Sequence, residues 1–215
     1  MRFLLGILIF LFSLLLCSAG VRYEVPADTL LLELSKRVLI SQIGITEKTG
    51  HNDGKEVEGY LKSVGLKKGN PWCAAFQYWG FKVSHDFLAY IGYQTEIPIP
   101  RTGHANSQFN YIKKHGYKTD YKAQINDLLD WWNTPGNLMS SGHEARVIKV
   151  DMAGWVYTIE GNTSNGLRGS QREGNGAFIR HRNIYDRIGG LRVRGLGGFK
   201  PDYSNLKIFS FPAER

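Results

Sequence analysis

Cys73 is the residue of this sequence best placed to act as a nucleophile. It follows the breaker-rich loop 65–71 and opens a segment with no early breaker, a pattern that predicts the start of a helix. Free N–H groups and the partial positive charge of a helix N-terminus favour a thiolate and can stabilise an oxyanion. A buried structural cysteine is the alternative, because 72–76 is apolar enough for a core.

A hairpin is predicted directly after His143. Segments 144–151 and 155–160 are rich in Val, Ile, Tyr and Trp and are separated by Met152-Ala153-Gly154, the pattern of two strands joined by a turn. His143 would then lie at the entry to the first strand. An imidazole in that position is the expected partner of a cysteine nucleophile.

The predicted hairpin places a carboxylate and an amide beside this imidazole. A turn centred on residues 152 and 153 sets Asn162 opposite His143 and Glu160 diagonally across from it on the same face. A carboxylate there can fix the tautomer of the ring and stabilise its charged form, as the third member of a catalytic triad does. A register shift of one residue would reverse the faces, so the prediction depends on the turn.

Length and composition are those of a globular domain. The chain has 215 residues, 42% of them hydrophobic and 21% charged, which excludes a disordered protein. Its two cysteines are too few for a disulfide framework or a cysteine-built zinc site. A collagen and a coiled coil are excluded as well.

Residues 1–20 have the pattern of a signal peptide. Arg2 precedes the apolar run 3–17, and small residues follow at 18–20. The run is shorter than the roughly 20 apolar residues of a membrane span, and no such run appears later. We therefore expect a secreted or periplasmic protein with a single domain over residues 21–215.

The leader also bears on the two cysteines. Its removal would leave Cys73 as the only cysteine in an oxidising compartment, where a lone thiol is either buried and inert or kept for its reactivity. Lipidation of Cys17 is the alternative to cleavage at residue 20, although Leu16 stands where the lipoprotein pathway prefers a small residue.

Apolar periodicity predicts helices first and a sheet afterwards. Helical spacing or the absence of breakers indicates four helices, at about 28–43, 55–64, 72–83 and 104–115. Strand-like composition indicates four strands, at about 144–151, 155–160, 177–184 and 195–203. This order predicts an α+β domain in which N-terminal helices pack on a C-terminal antiparallel sheet.

A series of motifs resembles one family of cell-wall hydrolases. In chain order the motifs are Asn52-Asp53-Gly54, Tyr60-Leu61, Gly65-Leu66, Asn70-Pro71-Trp72-Cys73-Ala74-Ala75-Phe76, Gly142-His143 and Ile159-Glu160-Gly161-Asn162. They resemble the CHAP family of cysteine- and histidine-dependent amidases and peptidases, which are bacterial and phage enzymes with a papain-like fold. The resemblance extends over roughly residues 38–200.

The resemblance implies a role for each residue of the predicted site. Cys73 would be the nucleophile, His143 the general base and acid, Glu160 the orienting carboxylate and Asn162 an auxiliary polar group. The substrate would be an amide in peptidoglycan, either the bond between muramic acid and alanine or one in the peptide stem or cross-bridge. No cofactor and no metal are implied, and 52–54 lacks the alternating acids of a calcium loop.

Two features depart from the family pattern. Glu144 follows the histidine where small or apolar residues are usual, and the hairpin turns its side chain away from His143. The Gly-Asp pair that often precedes the histidine strand is missing, and Leu129-Asp130-Trp131-Trp132 is found there. We expect no separate wall-binding domain, so the catalytic domain would have to find the wall by itself.

The charge of the chain favours an anionic partner. A net charge of +8 suits anionic polymers of the cell envelope, whereas secretion and the lack of a known motif argue against nucleic acid. We expect a monomer without a membrane span, in which Arg180-His181-Arg182 are exposed strand or loop residues. The alternatives to a wall hydrolase are a catalytically silent wall-binding or adhesion protein on the same fold and an antibacterial toxin with the same chemistry.

Overall fold

The computed structural model describes residues 20–133, 142–166 and 174–204. Cys17 and, apart from Gly20, the predicted leader lie outside these residues. The described residues form four helices and seven strands, in the order β1 Val21–Asp28, α1 Thr29–Ile40, α2 Lys55–Ser63, α3 Cys73–Tyr90, α4 Ala105–His115, β2 Tyr117–Thr119, β3 Leu128–Trp132, β4 Gly142–Val150, β5 Trp155–Thr163, β6 Gly176–Asn183 and β7 Arg192–Asp202. No helix in these three ranges is both long and apolar enough to cross a membrane.

The four predicted helices are confirmed, with different ends. α1 begins after Asp28, whose carboxylate accepts a 2.9 Å hydrogen bond from the backbone N–H of Leu31, as an N-cap residue does. α1 ends earlier than predicted, at Ile40, and α3 continues beyond its predicted end to Tyr90. α3 is the central helix, since it packs on the other three helices and on β4 and β5.

The strands form one mixed sheet in the order β2-β1-β7-β3-β4-β5-β6. β1 and β7 are parallel, and the other neighbouring pairs are antiparallel. The α+β class is thus confirmed. The expectation of a wholly antiparallel, C-terminal sheet is wrong, because β1 from the N-terminal end lies inside the sheet and runs parallel to β7.

Charged residues at buried positions conceal β1 in the sequence. Arg22 is 1% exposed, and its guanidinium donates two hydrogen bonds of 2.9 Å to the carboxylate of Asp127. A further nitrogen of Arg22 donates to Glu24 at 2.7 Å and to Thr119 at 2.8 Å. A strand in which charged residues take inward positions lacks the apolar period on which strand prediction depends.

The sheet separates two cores, so successive residues of β4 have different surroundings. On one face the guanidinium of Arg146 lies 4.2 Å from the ring centroid of Phe81 in α3. On the other face Ala145 belongs to an apolar cluster formed by strand and loop residues. Because side chains alternate along a strand, His143 shares the face of Ala145 and Glu144 shares the helix-covered face of Arg146.

Candidate active site

Cys73 is the first residue of α3 and is buried. The preceding residue, Trp72, makes no side-chain capping hydrogen bond, so no cap from this residue occupies the N–H groups of the first turn. The indole N–H of Trp72 donates to Glu47 at 2.9 Å, and its ring packs on Tyr60 and Phe76. The predicted position of Cys73 at a helix start is confirmed.

The hairpin of β4 and β5 has the predicted register at the end that carries the site. Arg146 pairs with Ile159, as a turn centred on residues 152 and 153 requires. Nearer the turn the pairing is offset, and a register shift between Val147 and Lys149 marks a bulge. The extra residue of the bulge compensates for the offset, so the faces of His143 and Glu160 are those that the sequence predicts.

His143 and Glu160 meet on the sheet face that the helices do not cover. The ring nitrogen Nε2 of His143 lies 3.0 Å from Oε2 of Glu160, and both side chains are 0% exposed. An ionised carboxylate only accepts hydrogen bonds, so Nε2 carries a proton in this contact. The other ring nitrogen, Nδ1, is thereby left for a reaction partner.

Arg182 and Thr158 hold the carboxylate of Glu160 in place. Arg182 donates to the two carboxylate oxygens, each at 2.8 Å, and the Thr158 hydroxyl donates to Oε1 at 2.7 Å. Burial alone would raise the pKa of Glu160, but Arg182 and His143 hold that pKa well below its ordinary value. Glu160 is therefore a fixed negative charge behind the imidazole.

The expectation that Arg182 is exposed is wrong, since it is only 7% exposed. Arg182 pairs with Val156 on β5, and this register directs its guanidinium onto Glu160. In the sequence Arg182 belongs to a charged run that is typical of a solvated strand. Only the register of β6 against β5, which the sequence does not supply, could have identified it.

The Cys73 thiol and the His143 ring interact at the start of α3. Burial by itself would raise the pKa of the thiol, but His143 and the backbone N–H groups of Glu144 and Ala74 lower that pKa below its ordinary value. Burial would lower the pKa of His143, but its interactions with Cys73 and Glu160 raise it to about 9. Nδ1 of His143 has no hydrogen-bond partner among the described residues, so its effect on the thiol is electrostatic. The surroundings thus favour a thiolate beside an imidazolium.

Asn162 lies next to this group in an unusual conformation. Its φ is 56°, and the register of β5 against β6 shifts between Glu160 and Thr163, so simple alternation does not hold here. Its side-chain oxygen is buried and has no hydrogen-bond partner among the described residues, and the same is true of Nδ1 of His143. The structure therefore does not join these two atoms by a hydrogen bond, and the auxiliary role of Asn162 stays a prediction.

The structure shows the surroundings of Glu144 and of the segment before β3. Glu144 turns away from His143 as expected, since it lies opposite Asp130 on β3. Shortly before β3, Asn126 adopts a φ of 77°, a conformation that glycine takes most easily, and Asp127 is buried. A residue with positive φ is therefore followed by a buried carboxylate directly before β3.

The described residues contain no group of three or more His, Cys, Asp or Glu side chains that could hold a metal ion. What they bring together is a thiol, an imidazole and an ionised carboxylate, an arrangement that can carry out acyl transfer. Comparison of the chain with protein-family models, with curated proteins and with solved structures finds no match.

Proposed function

We propose that this protein is a cysteine-dependent hydrolase that cleaves an amide bond in peptidoglycan. The observation that carries the proposal is the buried contact of His143 with Glu160, together with the lowering of the Cys73 thiol pKa by the same imidazole. A buried structural cysteine has no need of an imidazole held by an ionised carboxylate, because burying these charged groups is costly. Perturbed titratable groups of this kind cluster at catalytic sites.

In the proposed reaction the Cys73 thiolate attacks the carbonyl carbon of the amide, and a carbon–sulfur bond forms. His143 gives the proton on Nδ1 to the leaving nitrogen as the carbon–nitrogen bond breaks. His143 then takes a proton from water, whose hydroxyl attacks the thioester, and breaking the carbon–sulfur bond releases the acid and restores the Cys73 thiolate beside the imidazolium. Backbone N–H groups at the start of α3 would stabilise the oxyanion formed in each step.

Peptidoglycan is proposed as the substrate on the basis of the motif resemblance, and two further features fit it. The leader pattern of residues 1–20 suits a secreted or periplasmic enzyme. The net charge of +8 suits a wall that contains anionic polymers. A papain-like fold belongs to the same proposal, in which the N-terminus of the central helix carries the cysteine and the adjoining strands carry the histidine and the carboxylate.

The test compares the purified protein with its Cys73→Ala variant on peptidoglycan from several wall types. Fragments released by the wild type alone, read by mass spectrometry, would establish a Cys73-dependent hydrolase, and their masses would identify the bond. A thermal melt of each protein confirms that both are folded. If the folded wild type releases nothing, the proposal fails, and co-sedimentation with the same walls then tests a silent wall-binding protein.

A further inference from the structure

Two buried carboxyl groups lie on the helix-covered face of the sheet, behind the candidate nucleophile. Asp130 on β3 and Glu144 on β4 are directly opposite each other, and both are 0% exposed. No described residue donates a hydrogen bond to either carboxyl group, and the two side chains interact with each other. Two adjacent carboxylates in such a site cannot both be ionised at low cost, so the pair has to retain a proton.

The positive groups near this pair are engaged elsewhere. Arg194 on β7 donates to the backbone and side-chain oxygens of Asn106, both at 2.9 Å, and Arg146 donates to Ser35 at 3.0 Å. Among the described residues neither arginine forms a salt bridge with the pair. Burial therefore raises the pKa of both carboxyl groups well above the ordinary range, despite the attraction of these cations.

The pair is electrically coupled to the candidate site. Glu144 follows His143 on β4, and its backbone N–H lowers the pKa of the Cys73 thiol. The Cys73 thiolate raises the pKa of Asp130 and of Glu144, and the coupling is reciprocal, so negative charge on the pair makes the thiolate harder to form. His143 has the opposite effect, because it lowers the pKa of Asp130 and the pKa of Cys73 and so favours the ionised form of each.

We propose that Asp130 and Glu144 share one proton and act as positioning residues that adjust the reactivity of Cys73 by presenting it with a single negative charge. His143 and the helix N-terminus lower the pKa of the Cys73 thiol, and the negative charge on the pair offsets part of this lowering. The thiolate therefore stays more basic than it would be without the pair. A more basic thiolate is a stronger nucleophile, because nucleophilicity falls as the pKa of a thiol falls. The inference rests on the proposed function in that it takes Cys73 to be the nucleophile.

The experiment measures the alkylation rate of Cys73 by iodoacetamide against pH, which requires no wall substrate. Asp130→Asn combined with Glu144→Gln keeps the shapes of both side chains and removes the shared charge. We expect the acid limb of the profile to move down by about one pH unit, which makes alkylation on that limb roughly tenfold faster. The control is Asp127→Asn, which removes a carboxylate that is as deeply buried but is bound to Arg22.

Each outcome decides the matter. A folded double variant with the wild-type profile overturns the proposal, and so does an equal shift in Asp127→Asn. If the double variant does not fold, difference infrared spectra of the wild type before and after alkylation take its place. A protonated carboxyl band at neutral pH that changes on alkylation supports the shared proton, and its absence refutes it. Because none of these readouts uses peptidoglycan, this inference and the proposed hydrolase can fail separately.

Discussion

The imidazole of His143 and the carboxylate of Glu160 are joined by a 3.0 Å contact in which neither side chain reaches solvent. A buried ion pair stabilises a protein only where its remaining hydrogen-bonding atoms are satisfied. Here Arg182 supplies a second positive group, so Glu160 is balanced whether or not His143 is protonated. The ring can therefore gain and lose a proton while its carboxylate stays in place, which is what a general acid and base requires.

Glu160→Gln tests the role of this carboxylate. The amide keeps the shape but removes the negative charge that Arg182 and His143 both contact. We expect hydrolysis of peptidoglycan to fall by roughly 100-fold or more and the free energy of unfolding to fall by about 3–5 kcal/mol. Turnover and chemical denaturation measure the two effects. Thr158→Val is the matched control, because it removes one hydrogen bond to the same carboxylate and should cost only about 1 kcal/mol.

Arg182→Met tests whether the arginine supports the site or merely covers a strand. Loss of the guanidinium leaves Glu160 with His143 as its remaining charged partner, so we expect a destabilisation of about 3–5 kcal/mol. Arg192→Met on β7 is the comparison, since Arg192 is exposed and forms no salt bridge within the described part of the chain. Equal losses of stability in the two variants, measured by denaturant titration, would contradict the assigned role of Arg182.

The parts of the site that lie close together in the chain could be predicted from the sequence. The spacing of His143 and Glu160 about a short turn determines their shared face, and the loop before Cys73 marks the helix start. Neither inference needs knowledge of distant contacts. The sequence does not predict the bulge in β4. The predicted shared face of His143 and Glu160 is correct because this bulge compensates for an offset of one residue at the turn.

Contacts between distant segments could not be predicted in the same way. In the sequence Arg22 resembles a surface residue, because nothing indicates that its guanidinium binds the carboxylate of Asp127. The sequence therefore does not predict β1. Arg182 resembles part of a charged run until β6 is paired with β5. In both cases a buried charge interrupts the apolar period, and the partner that makes its burial tolerable is more than 20 residues away.

The pH dependence of activity follows from the pKa of His143, which its surroundings raise to about 9. The proposed reaction needs the imidazolium to protonate the leaving nitrogen, so we expect activity to fall as the pH rises through about 9. Cys73 and Glu160 both raise this pKa. Glu160→Gln removes one of these two contributions, so the alkaline limb should move to lower pH. Initial rates across the pH range measure the alkaline limb of each protein. A wild-type alkaline limb near the ordinary histidine pKa of 6.5 would contradict the assigned contacts.

The free energy of unfolding should also depend on the protonation of His143, and it should fall as the pH rises. The pKa of His143 is about 9 in the folded protein against 6.5 for an ordinary histidine, so protonation favours the folded state. Its contribution is complete below pH 6.5 and is lost as the pH rises through about 9. Denaturant titrations from pH 6 to 10 should therefore show a steeper loss of stability in the wild type than in His143→Gln. Parallel curves for the two proteins would count against the raised pKa.

Gly161→Ala tests the close approach of β5 to α3 that sets the distance between Glu160 and the helix of Cys73. A Cβ at Gly161 would lie 2.7 Å from Cβ of Phe76 and 2.7 Å from the indole of Trp72, so the strand and the helix would have to separate. We expect a destabilisation of about 1–3 kcal/mol with a large loss of activity. Gly59→Ala in α2 is the matched control, because a Cβ there meets nothing within 4 Å, and it should stabilise the helix by roughly 0.5–1 kcal/mol. If Gly161→Ala is as stable and active as Gly59→Ala, the packing of β5 on α3 does not position the site.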